Sequence, residues 1–127
     1  MGSQVFPIFD TLPHQIVRLM SDGYVKSEVL NGVATVTFHH PKSNSLPGHI
    51  LRAMADAINT CGQDASVRAI VLRSEGDKAF CAGASFDELV SINDAETGLA
   101  FFSGFAHVIN AIRKAPVLVI GRIHAHT

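Results

Sequence analysis

The strongest constraint on this chain is the order in which short apolar runs alternate with amphipathic stretches. Val25 to Leu30, then Asn31-Gly32, then Val33 to Phe38 form a β-hairpin pattern. Asn-Gly supplies the positive φ angles that a tight two-residue turn needs. Ala34, Val36 and Phe38 fall on one face of the second strand, and Val33, Thr35 and Thr37 on the other. Pro41 to Pro47 reads as a loop. His49 to Thr60 reads as an amphipathic helix: Ile50, Met54 and Ile58 are spaced by four, with Leu51, Ala53 and Ala57 beside them. Gly62 marks its expected stop. Ala69 to Leu72 is the expected buried strand, and Ser74 to Ala84 a loop. A short helix follows over Ser85 to Ile92, and a longer one begins near Asn93, with Glu96 closing a capping box. Leu99, Phe102, Ala106, Ile109 and Ile112 are its expected apolar stripe. Arg113 and Lys114 suit its C-terminal dipole, Pro116 blocks continuation, and Val117 to Ile120 reads as a third buried strand. Hairpin, helix, strand, helices, strand is the alternation of crossover units on a parallel or mixed sheet, an α/β fold.

Bulk properties narrow the function classes. The 127 residues suit one domain, which buries roughly two-thirds of its unfolded surface. A hydrophobic content of 47% against 17% charged argues against disorder. The net charge of −1 offers no electrostatic footprint for nucleic acid or an anionic membrane. Cys61 and Cys81 have no repeated spacing, so neither a disulfide framework nor a zinc site is expected. No apolar run approaches the ~20 residues of a membrane span, and no secretory leader pattern opens the chain, which makes the cytoplasm the expected compartment. Residues 1–24 read as an arm or a non-native extension: Pro7 and Pro13 interrupt the helical spacing of Leu12, Ile16 and Met20. The domain is expected over 25–127.

The segment Lys78-Ala79-Phe80-Cys81-Ala82-Gly83-Ala84-Ser85-Phe86-Asp87-Glu88-Leu89 carries the chemistry. Three small residues, Ala82-Gly83-Ala84, let a ligand approach the backbone. Ser85 reads as the N-cap of the next helix, with Glu88 three residues later closing a capping box. Main-chain amides beside such a start can hold a developing negative charge, so the segment reads as an oxyanion site. Other features have plainer readings. Cys81 has no partner base beside it and reads as a small core residue. Among the seven histidines, His39-His40 and His124-x-His126 are the close sets, without a third ligand at familiar spacing, so no metal is expected. His107 reads as a core or interface residue. Phe101, Phe102 and Phe105 read as helical core, with the wall of an apolar ligand pocket or a subunit contact as the other reading. The capping box already accounts for Glu88. Neither a G-x-G-x-x-G nor a G-x-S-x-G element is present.

Three segments, in this order and at these separations, resemble the enoyl-CoA hydratase/isomerase (crotonase) family. They are Lys42-Ser43-Asn44-Ser45-Leu46; Val67 to Leu72 leading to Lys78 to Ala84; and Arg113-Lys114-Ala115-Pro116-Val117 with its apolar strand. The resemblance implies a crotonase-like spiral of ββα units, here partial: the N-terminal half of the core. It implies an acyl-CoA substrate, with coenzyme A present as part of that substrate and no further cofactor. It implies a homo-oligomer, a trimer or hexamer in complete members. Ala84 matches the first of two backbone oxyanion donors, and coenzyme A contacts map to Lys42, Ser43 and Ser45 and to Ala82, Gly83, Ala84, Ser85, Phe86 and Asp87. The second donor lies in a glycine triplet beyond the last strand, and the hydratase acid and base glutamates lie further on. The 127 residues reach His124-Ala125-His126-Thr127 without them. The polypeptide is therefore expected to be catalytically incomplete alone, and a coenzyme A-binding or oligomerisation module is the alternative. Ser85 stands where the family usually has Asp, and serine caps as well. Ala125 stands where Gly is common, at a cost if the backbone there is left-handed.

Overall fold

A computed structural model describes residues 22–127. The helical spacing read over Leu12 to Met20 lies outside the described residues. Strand β1 (Tyr24–Leu30) starts one residue before the expected boundary and pairs antiparallel with β2 (Val33–His39), Leu30 opposite Val33. Asn31 (φ 52°) and Gly32 (φ 80°) make the left-handed turn that the dipeptide predicts. Helix α1 (Gly48–Gln63) carries the chain to β4 (Ala69–Ser74), which lies parallel to β2, and α3 (Ala95–Lys114) carries it to β6 (Leu118–Arg122), parallel to β4. The sheet order is β1-β2-β4-β6. The expected alternation is therefore correct, with both parallel joins spanned by helices.

The core lies between this sheet and α1. Ala34, Val36 and Phe38 of β2 meet Ile70 and Leu72 of β4, and Ile50, Leu51, Met54 and Ile58 of α1 close over them. Val108 and Ala111 of α3 join from the far side of α1. Each fully buried aliphatic side chain contributes about 1.5–3 kcal/mol by leaving water.

Four local expectations change. Gly62 lies inside the last turn of α1 rather than past it. A Cβ there would come 3.1 Å from Cδ of Pro116, so the glycine serves a close approach. The longer helix is capped by Asp94, whose carboxylate accepts the Thr97 amide at 2.7 Å, and Thr97 Oγ1 accepts the Asp94 amide, so the box is one residue later than read. The stripe Leu99, Phe102, Ala106 and Ile109 faces outward, with Phe102 70% exposed. Phe101, Gly104, Val108 and Ala111 face α1 instead. Helix α3 is apolar on both sides, and Gly104 decides which side is inner: a Cβ there would sit 2.7 Å from Cδ1 of Leu51. Finally, β6 is the last strand of the sheet among the described residues, with Leu118 69% exposed, so it is not a buried strand here.

Candidate functional site

Two short strands that the sequence does not announce build the site. They are β3 (Ser45–Leu46) and β5 (Gly83–Ala84), which pair parallel with Ser45 opposite Gly83 and Leu46 opposite Ala84. Two residues are too few for a periodic signal, so each reads as loop on its own. The Ala82 amide donates to Asn44 O at 3.1 Å and the Ser85 amide to Leu46 O at 3.2 Å. The structure thus brings the Lys42–Leu46 and Ala82–Asp87 segments side by side.

Asn44 is the residue that joins them. It is 2% exposed and has φ 57°, a left-handed value that Asn tolerates better than most residues. Its Nδ2 donates to Glu75 O and Ala79 O, both at 2.8 Å, and its Oδ1 accepts the His40 amide at 2.7 Å. One side chain therefore ties the loop after β2 to the loop after β4, satisfying three backbone groups that are buried or partly buried. Sequence reading placed Asn44 within a motif but gave it no role. Its signal is a polar residue flanked by serines in a loop, which spacing alone does not separate from a turn residue.

Gly83 has φ +94°, and a Cβ built there would meet nothing within 4 Å. Backbone conformation, not lack of room, demands glycine here. Its amide lies 3.4 Å from Sγ of Cys81. Ala84 follows, exposed, between two residues whose amides are engaged.

Helix α2 (Phe86–Val90) then starts. Ser85 caps it as expected, its Oγ accepting the Glu88 amide at 3.3 Å. The capping box does not close. The Ser85 amide already serves Leu46 O, so the Glu88 carboxylate turns away and accepts the Gly48 amide at 2.6 Å. Pro47, at the N-cap of α1, provides no side-chain cap, so Glu88 satisfies an orphan donor of another helix.

Lys42 and Asp87 form an ion pair across the gap between the first loop and α2. They line an open cleft of 490 Å3 together with Asp22, His40, His49, Ser85 and Glu88. Burial, then His49, His39 and Lys42, push the His40 pKa below its ordinary value, so the ring is neutral at pH 7. Ser43 lines a separate cavity, with His39, Asn44, Glu75 and Lys78. Phe86 points to solvent at 71% exposure. His107 is exposed on α3 rather than buried in the core. Among the described residues no three His, Cys, Asp or Glu side chains converge as a metal set, and no helix is long and apolar enough to cross a membrane.

A hairpin followed by helix-spanned parallel strands, with a small-residue turn beside a capped helix, makes an α/β arrangement with one exposed stretch of backbone at the turn. The enoyl-CoA hydratase/isomerase family model matches residues 28–126, and the chain belongs to that family. It is 32% identical over 92 residues to a probable enoyl-CoA hydratase of Bacillus subtilis, covering 72% of this chain and 35% of that protein. It is 38% identical over 80 residues to the mitochondrial methylglutaconyl-CoA hydratase of Rattus norvegicus, covering 63% of this chain and 25% of that protein. An enoyl-CoA hydratase structure from Mycobacterium smegmatis superposes with TM-score 0.71 at 35% identity, covering 79% of this chain and 39% of that one. The chain thus spans between a quarter and two-fifths of the length of these relatives.

Proposed function

We propose that this chain contributes the acyl-CoA thioester-binding half of an enoyl-CoA hydratase/isomerase family enzyme, with the Ala84 N–H as one of two backbone donors to the thioester oxygen. The β3–β5 register carries the reading: it holds Ala84 exposed on a backbone fixed on both sides. Polarising the thioester carbonyl acidifies the neighbouring carbon, and a donor that meets the oxygen best as an enolate lowers the barrier rather than merely binding substrate. Lys42, Ser45 and the Ala82–Asp87 segment would contact the coenzyme A portion, which enters as substrate. In the whole protein the reaction is addition or removal of water across an α,β double bond. A homo-oligomer and the cytoplasm fit this class of enzyme.

The test is an amide NMR titration of the 127-residue chain with acetyl-CoA and with coenzyme A. Coenzyme A contact shifts the Ala82–Asp87 amides with either ligand, and the Ala84 amide should move clearly further with the thioester than with the free thiol. Equal movement with both sinks the assignment. A companion assay supplies crotonyl-CoA to the same chain. Losing one oxyanion donor typically lowers rate by about 10²–10³, so turnover at ordinary enzyme rates would contradict a single-donor site. The second reading, a coenzyme A-binding or oligomerisation module without catalysis, is favoured by the exposed apolar residues Phe102, Ile109, Leu118 and Ile120. It predicts binding and association with no turnover after addition of any complementing segment.

A further inference from the structure

The cleft that Lys42 lines is poorly charged for a polyanion. Its ionisable lining is Asp22, His40, Lys42, His49, Asp87 and Glu88. Among the described residues that line it, Lys42 is the one permanent cation, facing three carboxylates, and burial pushes the His40 imidazole toward its neutral form. Glu88 is occupied by the Gly48 amide, whereas Asp87 is spent on Lys42 itself. Both ends of this pair stand on fixed backbone. Lys42 lies between Pro41 and the left-handed Ser43 (φ 53°) and Asn44, and Asp87 lies in the first turn of a helix anchored by Ser85. Both side chains are 66% exposed, so the pair is solvent-screened and readily exchanged.

We propose that Asp87 is a specificity-determining residue that competes with the phosphates of the ligand for Lys42. This rests on the reading of the cleft as a coenzyme A thioester site and adds to it how the phosphate-bearing part is selected. A phosphate entering the cleft displaces the Asp87 carboxylate from Lys42 and leaves it as an unpaired like charge nearby. Asp87 therefore weakens binding of phosphorylated ligands and leaves binding of the uncharged pantetheine arm untouched.

The experiment measures dissociation constants of coenzyme A and of pantetheine, which lacks the phosphates, for the full chain by calorimetry at fixed salt. Three proteins are compared: wild type, Asp87→Asn and Glu96→Gln. The last removes one carboxylate outside the cleft and controls for net charge. Asp87→Asn should tighten coenzyme A by about two- to fivefold, the range of an exposed ion pair. It should leave pantetheine unchanged, and Glu96→Gln should change neither. Unchanged or weaker coenzyme A binding in Asp87→Asn overturns the proposal, as does an equal gain in Glu96→Gln. Tightening of pantetheine to the same degree also overturns it, since no phosphate is involved. If wild type and Asp87→Asn bind neither ligand, the coenzyme A reading itself falls and takes this inference with it.

Discussion

Asn44 concentrates the geometry of the site in one amide side chain. Its three hydrogen bonds satisfy backbone groups of His40, Glu75 and Ala79 that water does not reach easily. Asn44→Ala should destabilise the chain by about 2–4 kcal/mol in urea titration, because buried polar groups lose partners and alanine resists the left-handed backbone. A loss under about 0.5 kcal/mol, the range of an ordinary surface substitution, would show that the two loops are held otherwise. Tyr24 and Glu75 offer a pH test. Burial, then the hydrogen bond to the Glu75 carboxylate, raises the Tyr24 pKa to about 12, above its ordinary 10. A phenol whose folded pKa is raised contributes stability that is full below pH 10 and is lost as pH rises toward 12. The group is only partly buried, so after solvent screening the effect is on the order of 1 kcal/mol. The stability difference between wild type and Tyr24→Phe should shrink between pH 9 and 12, and a constant difference would refute the assignment. Glu75 titrates oppositely. Hydrogen bonds from Lys26 and Tyr24 lower its pKa, so its contribution is present above the ordinary carboxylate range and lost as pH falls through the depressed value.

At the scale of elements, α3 shows how packing resolves an ambiguous helix. Phe101 and Phe102 are adjacent and chemically identical, yet one is 8% exposed and the other faces solvent. Phe101→Ala should cost about 3 kcal/mol or more by cavity formation, and Phe102→Ala should stay within about 0.5 kcal/mol. Denaturant midpoints of the two variants decide it, and equal losses would mean that α3 is rotated relative to α1. The sequence carries two apolar rows on this helix, and spacing picks the one through Leu99, Phe102 and Ile109, which the structure turns outward. Nothing local corrects that choice, since 3.6-residue periodicity fits either row. Gly104 breaks the tie because only a bare backbone lets α3 approach Leu51. The Glu88 carboxylate follows the same logic. Its spacing from Ser85 predicts a local box, but the amide it would serve is taken by Leu46, four decades of residues earlier in the chain.

Among the described residues, apolar side chains are exposed at the hairpin end around Leu30, on helix α2 at Phe86 and Val90, on helix α3 and on strand β6, and the last two bear most on assembly. Helix α3 exposes Leu99, Phe102 and Ile109, and edge strand β6 exposes Leu118 and Ile120 with Ile123 just beyond. An apolar strand edge with free backbone groups invites pairing, and contiguous apolar patches of this kind mark contact surfaces. The 127-residue chain should therefore self-associate in sedimentation experiments, with a mass above 13.6 kDa that rises with concentration. Leu118→Lys with Ile120→Lys should reduce the association. A monomer at high concentration, or association indifferent to those lysines, would count against β6 as the contact.

Local chemistry was enough to specify the hairpin, the α/β alternation and the Ser85 helix start. Asn-Gly, the four-residue apolar spacing of α1 and a serine N-cap act within a few residues of themselves. Family membership was legible for the same reason, since Lys42 to Leu46 and Lys78 to Ala84 are short contiguous motifs. Tertiary contacts settled the rest. The β3–β5 pairing joins residues nearly forty positions apart, and Asn44 beside it ties the two loops together. The inner face of α3, the target of Glu88 and the Lys42–Asp87 pair likewise depend on which backbone groups and surfaces distant segments have already taken. Spacing along a chain records what a residue could reach, whereas packing determines which partners are still free when it gets there.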